Sequence, residues 1–203
     1  MFAKEAVIRN PRRATVLLAL LGCWFIAAGP EARQDNSVTK AFAPGGRVRM
    51  DLSAGAYTIV AGRDDRILVR WTTTTPEEMA SVKVDVQIRG ADADITTTGP
   101  RNHFDVTIEL PARSDLDAKL TAGDLRISGL SGNKRAESWA GRIDIDVGRA
   151  EDYRSVHASV TAGDLIAGPF NAEKGGLFRS LNWTGPGRYT LDVRLTAGDL
   201  RLR

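Results

Sequence analysis

Asp144 and Asp146 stand two apart in Ile143-Asp144-Ile145-Asp146. On a strand both carboxylates share one face, about 7 Å apart, a separation that suits the paired acids of glycoside cleavage. No distant partner group and no groove-forming pattern accompanies them, so they read as ordinary charges on the solvent face of a strand. Asp124, Asp164 and Asp199 each follow a glycine, which invites a ladder of calcium sites. Calcium asks for about six oxygens or more from adjacent turns, but intervening copies of the motif carry Arg142 and Pro186 at the equivalent position. Turn capping by the aspartate side chains is the better reading. His103 and His157 are the only histidines, and neither sits in a nucleophile motif. No Gly-x-Ser-x-Gly turn, phosphate loop, zinc-binding histidine pair or dinucleotide fingerprint is present. The sequence therefore assigns no catalytic residue, no metal ligand and no cofactor.

These aspartates belong to a repeat. Leu120-Thr121-Ala122-Gly123-Asp124-Leu125 returns as Val160-Thr161-Ala162-Gly163-Asp164-Leu165 and as Leu195-Thr196-Ala197-Gly198-Asp199-Leu200. Looser copies are Ser138-Trp139-Ala140-Gly141-Arg142-Ile143 and Asn182-Trp183-Thr184-Gly185, with Leu52-Ser53-Ala54-Gly55-Ala56-Tyr57 as an earlier member. From Gly123 to Gly198 the glycines step by 18, 22, 22 and 13 residues. Two short strands and a glycine corner per step predict a β-solenoid-like stack. The corner needs glycine because the chain turns with positive φ, or because neighbouring backbones approach closely. The residue two before each glycine runs Thr121, Trp139, Thr161, Trp183, Thr196. In register, the two indoles line one edge with threonines between them, an arrangement that can stack on sugar rings or anchor a protein partner. The competing expectation is that both indoles fold under loops and complete the core.

The remaining body is patterned in the same way. Arg47–Leu52, Tyr57–Val60, Ile67–Trp71, Val82–Ile88 and Phe104–Leu110 alternate apolar with polar residues between Gly and Asp turns, the signature of half-buried strands. Thr75-Pro76-Glu77-Glu78 is the one good helix start, and that helix lasts a turn or two before alternation resumes. The predicted fold class is all-β. Asp199-Leu200-Arg201-Leu202-Arg203 reads as an open edge guarded by arginines, able to accept a partner strand or another copy.

The glycine-led motifs at Ala118–Gly132, Ala140–Ile145 and Ser159–Leu165, with the opening strands Val48–Trp71, resemble a bacterial family known as putative adhesin or toastrack, a domain of unknown function. The resemblance spans 42–203. It implies a repetitive β fold on exported or membrane-anchored envelope proteins, some tied to envelope stress responses, and it transfers no catalytic residue.

Charge and hydropathy add an address. Lys4, Arg9, Arg12 and Arg13 against Glu5 account for the whole net charge of +3, so the body is neutral and lacks the footprint of a nucleic-acid binder. The 15 uncharged residues Ala14–Ala28 after Arg12-Arg13 form a signal peptide or membrane anchor over 1–29, with the body facing out of the cytoplasm, periplasmic or at the cell surface. Leu20-Leu21-Gly22-Cys23 resembles a lipobox, which makes Cys23 a lipidation candidate. A soluble secreted form, a lipoprotein and an uncleaved anchor are the three outcomes. Residues 30–41 read as a polar linker and 42–203 as the repetitive domain.

The function expected from these features is a non-enzymatic scaffold or adhesin-like interaction module. Its partner is an envelope component, protein or glycan, or another copy of itself, and it meets the membrane only through its N-terminal segment. The alternatives are a stress-signalling module beside a membrane partner and, behind it, a carbohydrate-active β-helix enzyme.

Overall fold

The computed structural model describes residues 36–203; the expected signal segment and Cys23 lie outside the described residues. Thirteen strands form one sheet: β1 (Ser37–Ala41), β2 (Arg47–Leu52), β3 (Gly55–Ala61), β4 (Arg66–Thr72), β5 (Lys83–Arg89), β6 (Asp92–Thr98), β7 (Asp105–Leu110), β8 (Asp115–Leu120), β9 (Gly123–Ser128), β10 (Lys134–Ile145), β11 (Tyr153–Ala167), β12 (Ala172–Thr184) and β13 (Tyr189–Leu202). Among the described residues the one α-helix, α1 (Pro76–Ser81), starts on a capping box, with the Thr75 hydroxyl accepting from the Glu78 amide and the Glu78 carboxylate reaching back to Thr75.

The sheet is folded into two arms along a line of corners. Strands β2, β8, the first half of β10, β13 and β11 stack in parallel register in one arm. Strands β3, β9, the second half of β10, β13 and β11 stack likewise in the other. Antiparallel strands finish the ends, with β5 on β6 and β4 on β7 at one end and β12 on β11 at the other. Alternation puts Met50, Ala118, Ala136, Val193 and Ala158 inside one arm, and Ile59, Ile127, Ile145, Leu202 and Ala167 inside the other. The core is the wedge between the arms.

Glycine makes the corners, and for both predicted reasons at once. Gly55, Gly123, Gly141, Gly198, Gly163 and Gly176 lie on neighbouring strands as one ladder. Gly141 has φ of 121° and Gly198 125°, a region closed to side chains. A Cβ on Gly141 would overlap the Gly123 carbonyl oxygen, and one on Gly198 would overlap that of Gly141. In β10, β11 and β13 the strand runs unbroken through its corner.

Four expectations are corrected by the fold. Gly185 lies in the β12–β13 connection, outside the ladder, and Gly176 takes its place opposite Gly163. Asp124, Asp164 and Asp199 are strand residues just past the corner rather than turn residues. Residues 37–41 of the expected linker are an edge strand paired with β4, since backbone pairing needs no apolar side chain on an exposed edge. The stretch 199–203 is no open edge: β13 is inserted between β10 and β11, and among the described residues the free edge at that end is β12.

Outward charges of the first arm match that insertion. Outward residues of the first arm alternate in sign across strands as Asp94, Arg49, Asp117, Arg135 and Asp192, and in the next row as Asp51, Lys119, Glu137 and Arg194. Strand β11 offers only His157 and Ser159 at the equivalent positions. Against Arg135 and Glu137 of β10, the Asp192 and Arg194 of β13 are the complementary pair, and opposite charges facing across strands contribute about 0.2–1 kcal/mol each.

Candidate interaction surface

The corner line carries the residues singled out by the repeat. Parallel register places Ser53, Thr121, Trp139, Thr196 and Thr161 on successive strands, and antiparallel pairing of β12 adds Phe178 beside Thr161. Trp139 is 70% exposed and Phe178 80%, with Leu177 beside it at 63%. Three strand spacings separate Trp139 from Phe178, about 14 Å. The ridge is thus two aromatic rings bracketing two threonines.

The two tryptophans part company here. Trp183 packs against the core, its ring 5.1 Å from that of Phe170, which in turn meets Tyr153 edge-on. It pairs with Val156, well inside an arm, because the Asn182-Trp183-Thr184-Gly185 copy is not a corner. Trp183 is therefore removed from the predicted edge. We expect Trp183→Ala to cost about 3 kcal/mol in a denaturant titration, whereas Trp139→Ala stays within about 0.5 kcal/mol of the parent; equal costs would refute the split.

Phe178 was missed by the sequence reading because no Thr-Ala-Gly precedes it; the signal was Gly175-Gly176 followed by two large apolar residues. Its φ of 54° is left-handed, a conformation that an ordinary side chain holds at a cost of about 1 kcal/mol or more. The second arm just past the corner is charged: Asp124 meets Arg142 at 3.8 Å, and the Asp164 carboxylate lies where a Cβ on Gly175 would point.

The other candidates disperse. Asp144 lies on the outward face as expected, between Arg126 and Arg201 of the neighbouring strands, but is covered to 8% exposure and paired with Arg203 at 2.8 Å. Asp146 lies past the end of β10 and accepts from the Gly148 amide at 3.0 Å, so the two do not form a dyad. His157 Nδ1 is 2.7 Å from Asn182 Oδ1 on the outer face. No group of three or more metal-ligating side chains occurs among the described residues. Among them, too, no helix is long and apolar enough to cross a membrane.

A polar pair sits in the core unforeseen. Lys134 occupies a core-facing position at the start of β10, 2% exposed, and donates to the Tyr153 hydroxyl at 2.8 Å. Burial pulls its pKa down to about 8, against the opposing pull of Asp146, Asp115 and Asp152. Burial and the nearby Asp152 push Tyr153 up to about 12.

The fold is shared with a solved structure described as a putative cell adhesion protein from Clostridium sporogenes, at a TM-score of 0.51 and 10% identity over 83% of this chain and 99% of that one. A putative adhesin structure from Parabacteroides distasonis aligns over 54% of this chain and 51% of its own, at 11% identity and a TM-score of 0.23. No family model and no curated protein matches the sequence. The first likeness agrees in fold with the resemblance carried by the glycine-led motifs.

Proposed function

We propose that this chain is an exported, non-enzymatic, adhesin-like interaction module of the bacterial envelope, a solenoid-like stack that meets an envelope component through its corner ridge. One observation carries the reading: Trp139 and Phe178 stand exposed on the same ridge, and Phe178 is held there in a strained backbone conformation. Large exposed aromatics gathered on one ridge, with Leu177 beside Phe178, form the kind of apolar surface that anchors a partner. The threonines between them supply hydroxyls that hydrogen-bond to a glycan or a protein backbone alike.

The test is co-sedimentation of the full chain with isolated cell-wall sacculi, parent beside a Trp139→Ala/Phe178→Ala variant. We expect the double variant to bind about tenfold more weakly or worse, with an unchanged melting curve. Undiminished binding would remove the ridge as the contact. No binding by either protein would exclude the wall glycan and leave a protein partner.

A further inference from the structure

Two core-facing rows run the length of the stack and each ends in a cation. One row is Leu52, Leu120, Ser138, Leu195, Val160 and then Arg179; the other is Tyr57, Leu125, Ile143, Leu200, Leu165 and then Lys174. Both cations belong to β12, which among the described residues pairs with β11 alone and leaves its other side free over 13 residues. Roughly half of the backbone groups of such an edge point outward, unpaired. Lys174 lends its ammonium to the Ser180 carbonyl at 2.7 Å. Arg179 folds over Gly176, and its Nε is buried without a hydrogen-bond partner. Among the described residues neither cation makes an ion pair.

We propose that the free side of β12 receives an extended acidic segment of a partner protein as an added strand, with carboxylates opposite Lys174 and Arg179. Main-chain pairing supplies affinity in this mode of recognition, and side-chain positions supply specificity. A strand that continues the stack faces inward where β12 does, so its two acids lie five residues apart, one on each side of the corner. The buried, unpartnered Nε of Arg179 is the kind of group that native proteins seldom leave unsatisfied.

A second copy of this chain does not fit. Matching corner to corner and inward face to inward face, antiparallel β12 strands would set Lys174 of each copy against Arg179 of the other. Four cations would then meet with no counter-charge, and like charges directly opposite oppose pairing. Inward-pointing charge is also a known guard of sheet edges. The experiment must therefore separate a guard from a receptor.

The probe is a synthetic ten-residue peptide of alternating valine and threonine, with two glutamates five positions apart and two glycines between them; its control carries lysines instead. Titrated onto the full-length chain, the glutamate peptide is expected to bind about tenfold or more tightly than the lysine peptide. Hydrogen exchange should slow at β12 amides and nowhere else on the sheet. Lys174→Glu/Arg179→Glu should reverse the preference. Trp139→Ala should bind the peptide as the parent does, so a failure here is separate from a failure of the ridge. If the two peptides bind alike, if neither binds, or if protection falls elsewhere, the cations are a guard only and the proposal is wrong. The exchange measurement on the parent chain decides the matter even if the double variant fails to fold.

Discussion

Gly141→Ala is expected to leave no folded domain. The left-handed φ of 121° already costs an alanine more than it can recover there. The steric problem is worse, because the new Cβ overlaps the Gly123 carbonyl and the Gly198 position is packed on the Gly141 carbonyl in turn. Relief requires strands on both sides to separate, which breaks two parallel ladders at once. We expect a loss of about 4 kcal/mol or more, visible as loss of the cooperative melt and of soluble yield. Gly168→Ala is the control: no atom lies within 4 Å of its added Cβ, and its backbone angle is open to any residue. It should melt within about 0.5 kcal/mol of the parent. A Gly141→Ala protein that melts like its parent would show that the arms are not locked through the ladder.

The second large effect is a stability that rises in alkali. The folded pKa of Lys134, about 8, lies below its ordinary value of 10.5. The unfolded chain therefore holds this proton more tightly, and folding is penalised in full below pH 8. As pH climbs past 8 the buried ammonium is discharged and up to about 3 kcal/mol returns by the time pH reaches 10.5. Tyr153 has the opposite sign. Its folded pKa of about 12 stands above the ordinary 10.0, so its contribution is present below pH 10 and is lost on the way to 12. Urea titrations should therefore show stability increasing from pH 8 to about 10 and falling beyond it. Lys134→Met should remove the rise and gain about 2 kcal/mol at pH 7, since a buried charge gives way to a side chain of similar reach. A flat profile in the parent would mean that Lys134 reaches water.

Alternation and glycine spacing made much of this architecture legible. The strands, the two-turn limit on the helix and five of the six ladder glycines follow from period-2 patterning and from the repeated Ala-Gly, led by threonine in three copies, serine in one and tryptophan in one. The sixth, Gly176, was hidden because β12 runs antiparallel and so carries no copy of the motif in the same sense. Trp183 was given the wrong environment for a related reason: a Trp-x-Gly match says nothing of whether the glycine is at a corner. The site was half readable. Thr121, Thr161, Thr196 and Trp139 come together on one line, while Phe178 entered through a pairing that joins residues on opposite sides of a connection. The order of the stack could not be read from the order of the chain. β13, last in the chain, lies between β10 and β11, and no motif in the sequence marks that insertion.

The place of β13 between β10 and β11 also sets a timetable. Strands β10, β11 and β12 all leave the ribosome before β13, yet the contact that joins the first two is β13 itself. Until it arrives, the β11–β12 hairpin has no neighbour on its inner side, and the strands before it end at an exposed β10. Pairing of β10 with β11 through β13 waits for the last strand of the chain, and non-local pairing of this kind is slow. A chain translocated in the unfolded state would lose nothing by such a delay, whereas one halted short of residue 189 would leave the edges of β10 and β11 unpaired.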